Sequence, residues 1–236
     1  MTKYNLFYQP LIQEGVLFLD VEESRHCVKV LRKKPGDTIA LTDGKGFFYD
    51  GIITKADSGQ CFFEIRQQSP VQKKNYFIHI AISPTKNADR IEWFVEKATE
   101  LGVDQISLID CKNTERSFIK TERLLKVAIS AMKQSVKAVL PSIGNHLLQF
   151  SEVVENCPQE VKCIAFVDPS NPVHLKDTAV PRSSYCVLIG PEGDFSSGEL
   201  KTAMDQGFKK ISLGQSRLRT ETAGIAACHI LNLINA

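Results

Sequence analysis

A chain of 236 residues, 43% hydrophobic and 24% charged with a formal net charge of +2, has the composition of a globular protein with one large core or two modest ones. No apolar run approaches the roughly eighteen residues a membrane span needs, and MTKYNLFYQP at the start lacks the apolar centre of a secretion signal, so a cytoplasmic protein is expected. Seven cysteines, odd in number and with neither C-x-x-C nor zinc spacing, predict reduced and mostly buried thiols and no metal site.

The small net charge conceals a local cluster. Residues 1–75 carry eleven Lys/Arg against nine Asp/Glu, and five of the positives are Arg25, Lys29, Arg32, Lys33 and Lys34. Such a cluster on a neutral body suits a surface that touches a phosphate backbone, although a solvated helix face accounts for it equally well.

In chain order, residues 16–69 predict a small β-rich module. Strand-like runs at 16–19, 38–42, 47–54 and 61–65 are separated by Pro-Gly-Asp, Asp-Gly-Lys-Gly and Asp-Ser-Gly turns, with one short helix at about 24–31. Residues 69–75, polar and containing Pro70, predict a linker. From residue 76 the rhythm becomes strand, then helix. A strand at 76–82 precedes a helix at 88–101, where Ile91, Phe94, Val95 and Ala98 share a face and Gly102 ends it. A strand at 105–109 and a helix at 121–136 follow. Further strands are expected at 163–167, 185–189 and 210–213, with helices at 197–206 and about 221–234. This alternation indicates an α/β fold with a mostly parallel sheet.

Two segments about twenty residues apart concentrate the chemistry: LIGPEGDFSSGEL at 188–200 and ISLGQSRLRTETAGIAA at 211–227. Each is an apolar strand, a glycine-containing bend and a helix start, the place where parallel sheets bind ligands. Gly190 and Gly193 are expected to supply unusual dihedrals and close approach, and Ser196 with Glu199 forms an S-x-x-E capping box. An ordinary strand-to-helix loop also explains the first segment taken alone. In the second, Thr220 or Thr222 is expected to cap the last helix, with Glu221 favouring its positive end. Capping does not explain Arg217 and Arg219 flanking Leu218, which could hold a phosphate or a developing oxyanion. Neither a G-x-G-x-x-G nor a P-loop is present, no Ser-His-Asp or H-E-x-x-H pattern appears, and the five histidines are scattered.

The pair GPEGDFS at 190–196 and SLG with LRTETA within 212–223 resembles the bacterial small-subunit rRNA uridine-N3 methyltransferases, a family of the SPOUT class. The resemblance runs the whole length. It takes in HCVKVLRKKPGDTIALTDGKG at 26–46, KNADRIEWFVEKATELGV at 86–103, TERS at 114–117 and ER at 122–123. It implies a PUA-like RNA-binding β-barrel over residues 1–72 and a SPOUT α/β methyltransferase domain with a trefoil knot over 73–236. S-adenosylmethionine would lie among Leu188, Ile189, Gly190, Gly193, Leu213, Gly214 and Leu218, with Thr220 and the strand end Phe166–Asp168 beside it. A homodimer acting on 16S rRNA is implied, with no membrane partner. Asp194 stands where the family usually has a second glycine, so that bend must accommodate a side chain; Lys133 and Lys137 stand where Glu and Arg are common.

For this chemistry, uridine must present N3 unpaired, and loss of the N3 proton places charge on O2 and O4. Arg219 is the candidate to stabilise that charge, with Glu192 or Glu221 shaping the pocket or taking the proton. Arg219 gripping an RNA phosphate or a neighbouring subunit is the competing role. Arg25, Arg32, Lys33, Lys86, Arg90 and Arg116 are candidates for RNA contact. The rival readings are a non-catalytic RNA-binding assembly factor on the same fold and a knotted methyltransferase acting on another RNA.

Overall fold

Alternating burial along residues 49–53, with Tyr49, Gly51 and Ile53 inward, marks a central strand of the first sheet. The computed structural model describes residues 5–115, 119–168, 170 and 173–236, in two compact units: Met1–Lys73 with Ile129–Leu140, and Lys74–Ala128 with Pro141–Ala236. In the first unit, β1 (Leu6–Tyr8), β2 (Thr38–Thr42), β3 (Phe47–Lys55) and β4 (Phe62–Pro70) lie side by side in that order. β1 runs parallel to β2 and the other neighbours are antiparallel. Phe7, Leu19, Cys27, Leu41, Ile53, Cys61 and Phe63 form its core. Burying each large apolar side chain contributes about 1.5–3 kcal/mol against the ordering entropy.

Three expectations for this unit change. Residues 16–19 are not a strand of their own: they make one bridge, Phe18 to Phe62, held by Leu19 N–H to Cys61 O (2.9 Å) and Phe63 N–H to Leu17 O (3.0 Å). The helix starts earlier, as α1 (Val21–Arg25), because Asp20 caps it by accepting from Glu23 N–H at 2.8 Å; a π turn over His26–Val30 follows. The polar stretch at 69–75 begins inside β4. Ile129–Leu140 joins this unit through Gly46 N–H to Ala138 O (2.8 Å), Leu140 N–H to Gly44 O (2.9 Å) and a largely buried Lys133–Glu23 ion pair.

From residue 77 the chain alternates β5 (Phe77–Ile82), α2 (Ala88–Leu101), β6 (Gln105–Asp110), α3 (Thr121–Gln134, grouped with the first unit from Ile129), β7 (Ser142–Gln149), α4 (Phe150–Glu155), β8 (Val161–Ala165), α5 (Leu175–Thr178), β9 (Ser184–Ile189), α6 (Ser197–Asp205), β10 (Lys209–Ile211) and α7 (Thr220–Ile234). All neighbouring strands are parallel, in the order β10-β8-β9-β5-β6-β7, so the α/β class holds. Because every strand is parallel all carboxyl ends lie on one edge, and the reversal of strand order beside β5 sets β10, β8 and β9 side by side. β7 and α4 were not foreseen. β7 is a partly exposed edge strand containing Gly144, Asn145 and His146, with no clean period to read. α2 starts at Asn87, whose side chain accepts from Asp89 N–H at 2.9 Å, and ends at Gly102 with φ 93°. α7 packs closely on it: a Cβ at Gly224 would lie 2.6 Å from the Phe94 ring. All seven cysteines are buried and unpaired by disulfides.

Candidate active site

The carboxyl ends of β8, β9 and β10 open into a cleft of about 1240 Å³. Ligand pockets commonly span about 300–1,000 Å³, so this one has room for more than a single small molecule. Its walls come from the loop after β8 (Phe166, Val167, Asp168), the bend after β9 (Gly190, Pro191, Glu192, Asp194) and the bend after β10 (Ser212 to Arg219), with Arg90 and Ala223 from the helices.

The first bend is fixed by several independent interactions. Ser196 and Glu199 form the expected capping box at the start of α6. Asn113 Nδ2, in the loop after β6, donates to the carbonyls of Gly193 (3.1 Å) and Asp194 (3.0 Å). The unusual dihedral belongs to neither expected glycine: Asp194 has φ 60°, while Gly190 and Gly193 lie outside the left-handed region. Those glycines serve close packing instead. A Cβ on Gly190 would meet the Phe195 ring at 3.1 Å, and one on Gly193 would meet Asn113 Cβ at 3.2 Å. Asp194 carboxylate accepts from Phe195 N–H (2.8 Å) and Val167 N–H (3.1 Å). Burial pushes its carboxyl above the usual range, against those two bonds and the pull of Arg217.

The second bend turns at Gly214, φ 126°, where an added Cβ would meet nothing within 4 Å. Arg219 occupies the cap position of α7 without a side-chain cap bond. Thr220 does not cap the helix. Its hydroxyl, on a buried residue, donates to the Gly190 carbonyl at 3.0 Å and fastens the last helix to the first bend.

The expected site residues are therefore sorted by place. Phe166, Asp168, Ile189, Gly190, Leu213, Gly214, Leu218, Arg219, Thr220, Glu192 and Arg90 line the cleft. Leu188 is fully buried in the core behind it, and Gly193 packs on Asn113. Asp168 is spent on Lys210 (2.6 Å) and Ser170; these bonds hold its carboxyl down to about 2. Glu221 is 5% exposed, with Oε1 3.8 Å from Arg90 Nε and Oε2 without a hydrogen-bond partner among the described residues. Glu192 is exposed on the wall and accepts from Lys86 N–H (3.2 Å), while Lys86 Nζ pairs with Glu115 (2.9 Å). Arg25 and Arg32 are exposed in the first unit, and Lys33 Nζ donates to Thr38 O at 3.0 Å. Arg116 lies outside the described residues. Sequence reasoning missed Asn113, which is brought in only by the tertiary fold; Val167 falls within the expected strand end at 166–168, but its bond to Asp194 was not foreseen.

Comparison with known proteins agrees with this geometry. Residues 72–232 match the model of an RNA methyltransferase domain, and residues 19–66 match an RNA methyltransferase PUA domain. A probable rRNA-methyltransferase from Porphyromonas gingivalis is 43% identical, with a TM-score of 0.90 over 97% of this chain and 98% of that one. A ribosomal RNA small subunit methyltransferase E from Neisseria gonorrhoeae, solved bound to S-adenosyl methionine, is 27% identical at a TM-score of 0.84, covering 98% of both chains. The enzyme of that name from Aquifex aeolicus is 28% identical over 96% of this chain and 98% of its own length. With a ligand cleft at the carboxyl edge of a parallel sheet and matches of this extent, the chain belongs to the RNA methyltransferase family.

Proposed function

We propose that this protein transfers the methyl group of S-adenosylmethionine to N3 of a uridine in the 16S rRNA of the small ribosomal subunit. The fastening of Thr220 to Gly190 carries the reading, because it joins both bends into one cleft at 3.0 Å. The cleft suits the donor. Ile189, Leu213, Leu218 and Ala223 offer apolar walls for a flat base, and Gly214 leaves open space beside the main chain. When bound, the donor supplies a methyl group activated by a positively charged sulfur. The protein's part is positioning and electrostatics. Arg219 stabilises the charge that develops on uracil O2 and O4. Glu192, exposed on the cleft wall, takes the N3 proton, whereas buried Glu221 holds Arg90 and shapes the wall. Arg25, Arg32 and Lys33 approach phosphates from residues 1–72, the PUA-like module, and Lys86 and Arg90 from the catalytic domain of residues 73–236. The Aquifex aeolicus relative, a ribosomal RNA small subunit methyltransferase, supports small-subunit rRNA as the substrate.

Calorimetry with S-adenosylmethionine and mass mapping of 16S rRNA after reaction test this reading together. Donor uptake with a methyl group at uridine N3 is expected. Folded protein that ignores the donor, or a methyl group elsewhere in the RNA, rejects it.

The SPOUT knot, the homodimer and a cytoplasmic setting belong to the same proposal. β10 lies outside β8 while α7 returns to β5 and β9, a path that favours threading of the C-terminal segment. A crystallographic trace of residues 160–236 without such threading refutes the knot, and sedimentation as a monomer refutes the dimer.

A further inference from the structure

We propose that Asp194 is a positioning residue: its carboxylate ties the loop after β8 to the bend after β9 and thereby sets how tightly the cleft holds its ligand. A side chain at φ 60° is uncommon, and such strain persists only where its surroundings over-determine it. Here they do. Asp194 N–H donates to Pro191 O (2.9 Å), its carbonyl accepts from Asn113 Nδ2 (3.0 Å), and its two carboxylate oxygens accept from Phe195 N–H (2.8 Å) and Val167 N–H (3.1 Å). The turn itself needs only the local bonds. The bond to Val167, 27 residues away, is not required to make the bend. It joins the neighbouring wall to the bend after β9, whereas that wall's other bonds, Phe166 N–H to Ile211 O (3.2 Å) and Asp168 to Lys210 (2.6 Å), run toward β10; Val167 itself is 60% exposed and supplies little packing. Glycine would relieve the backbone and leave this amide unheld; Asp194 accepts the strain and a half-buried carboxylate in order to hold it. The inference rests on reading the cleft as the donor site.

Two variants separate the side chain from the backbone. Asp194→Gly removes both acceptors and the strain, while Asp194→Asn keeps a residue tolerant of this φ and one acceptor oxygen. In the ligand-free protein, hydrogen exchange at the Val167 amide is expected to quicken about tenfold in Asp194→Gly, the loss of one charge-assisted hydrogen bond. Calorimetry is expected to show S-adenosylmethionine binding weakened about tenfold, with the loss in KM for the donor rather than in kcat. Asp194→Asn is expected to fall between parent and glycine variant in both. Unchanged Val167 exchange in Asp194→Gly overturns the inference, as does donor affinity equal to the parent's. A parent protein that binds no donor overturns the proposed function instead, and Val167 exchange then decides the positioning role by itself.

Discussion

The two bends that form the cleft are held in opposite ways. The one after β9 is stapled: Gly190 sits under the Phe195 ring, Asn113 clasps two successive carbonyls, Asp194 reaches across to Val167, and a capping box closes the far end. The one after β10 is loose by comparison. Ser212 is anchored to Val173 and Leu175 by main-chain bonds of 2.8 and 3.0 Å and exchanges bonds with Gly214, but beyond it residues 214–217 are exposed. A site built this way has one wall organised in advance and one that ligand can order, so the ordering cost on binding falls mainly on the second bend.

The contrast is sharpened most by Arg219, on the loose side. Arg219→Ala is expected to slow single-turnover methylation about a hundredfold or more at saturating RNA and donor, with calorimetric donor affinity retained. A normal chemical step would move Arg219 out of catalysis and leave it a gripping residue. Next come the two glycines. Gly190→Ala pushes a Cβ into the Phe195 ring and is expected to cost about 2–3 kcal/mol in urea unfolding. Gly214→Ala meets no neighbouring atom and carries only backbone strain, about 1 kcal/mol. Should Gly214→Ala prove the costlier of the two, the assignment of stapled and loose is reversed.

Smaller effects lie away from the bends. Arg32→Ala is expected to weaken RNA binding and lower the log–log salt slope by about one, the signature of one lost phosphate contact. An unchanged slope makes the basic cluster a solvated face. The smallest is a titration. The carboxyl of Asp168 is held down to about 2 by Lys210 and Ser170, so ionisation is favoured in the folded state. The contribution of this tie is complete above the ordinary carboxylate range and is lost as pH falls toward about 2. A carboxyl-carbon NMR midpoint near that of a free aspartate would break the link between Asp168 and Lys210.

What the sequence disclosed was local. The capping box at Ser196 and Glu199 was legible because both partners lie within one helical turn. The strand and helix rhythm from residue 76 was legible because long buried elements keep their period, as in α2. The misses share a cause. β1 has three residues and α5 four, too short for any period, and β7 is half exposed. Thr220 looked like a cap because its sequence neighbours said so; its actual partner is 30 residues away. Asp194 stood out only as a residue in place of glycine, and the bond that gives it meaning goes to a loop 27 residues back. Lys133 likewise found its counter-ion in Glu23, 110 residues upstream.

Helix α7 has a consequence for biogenesis. Gly224 lies against Phe94 and Ile82, and Asn232 accepts from the Tyr76 hydroxyl at 2.9 Å, so the last helix covers the face of strands made early in synthesis. Until the ribosome has released residues 220–234, that apolar face stays bare and the Gly190 carbonyl has no threonine to meet. Pairings so distant along the chain form slowly, so the cleft wall that Thr220 fastens to Gly190 is expected to assemble after the local elements around it.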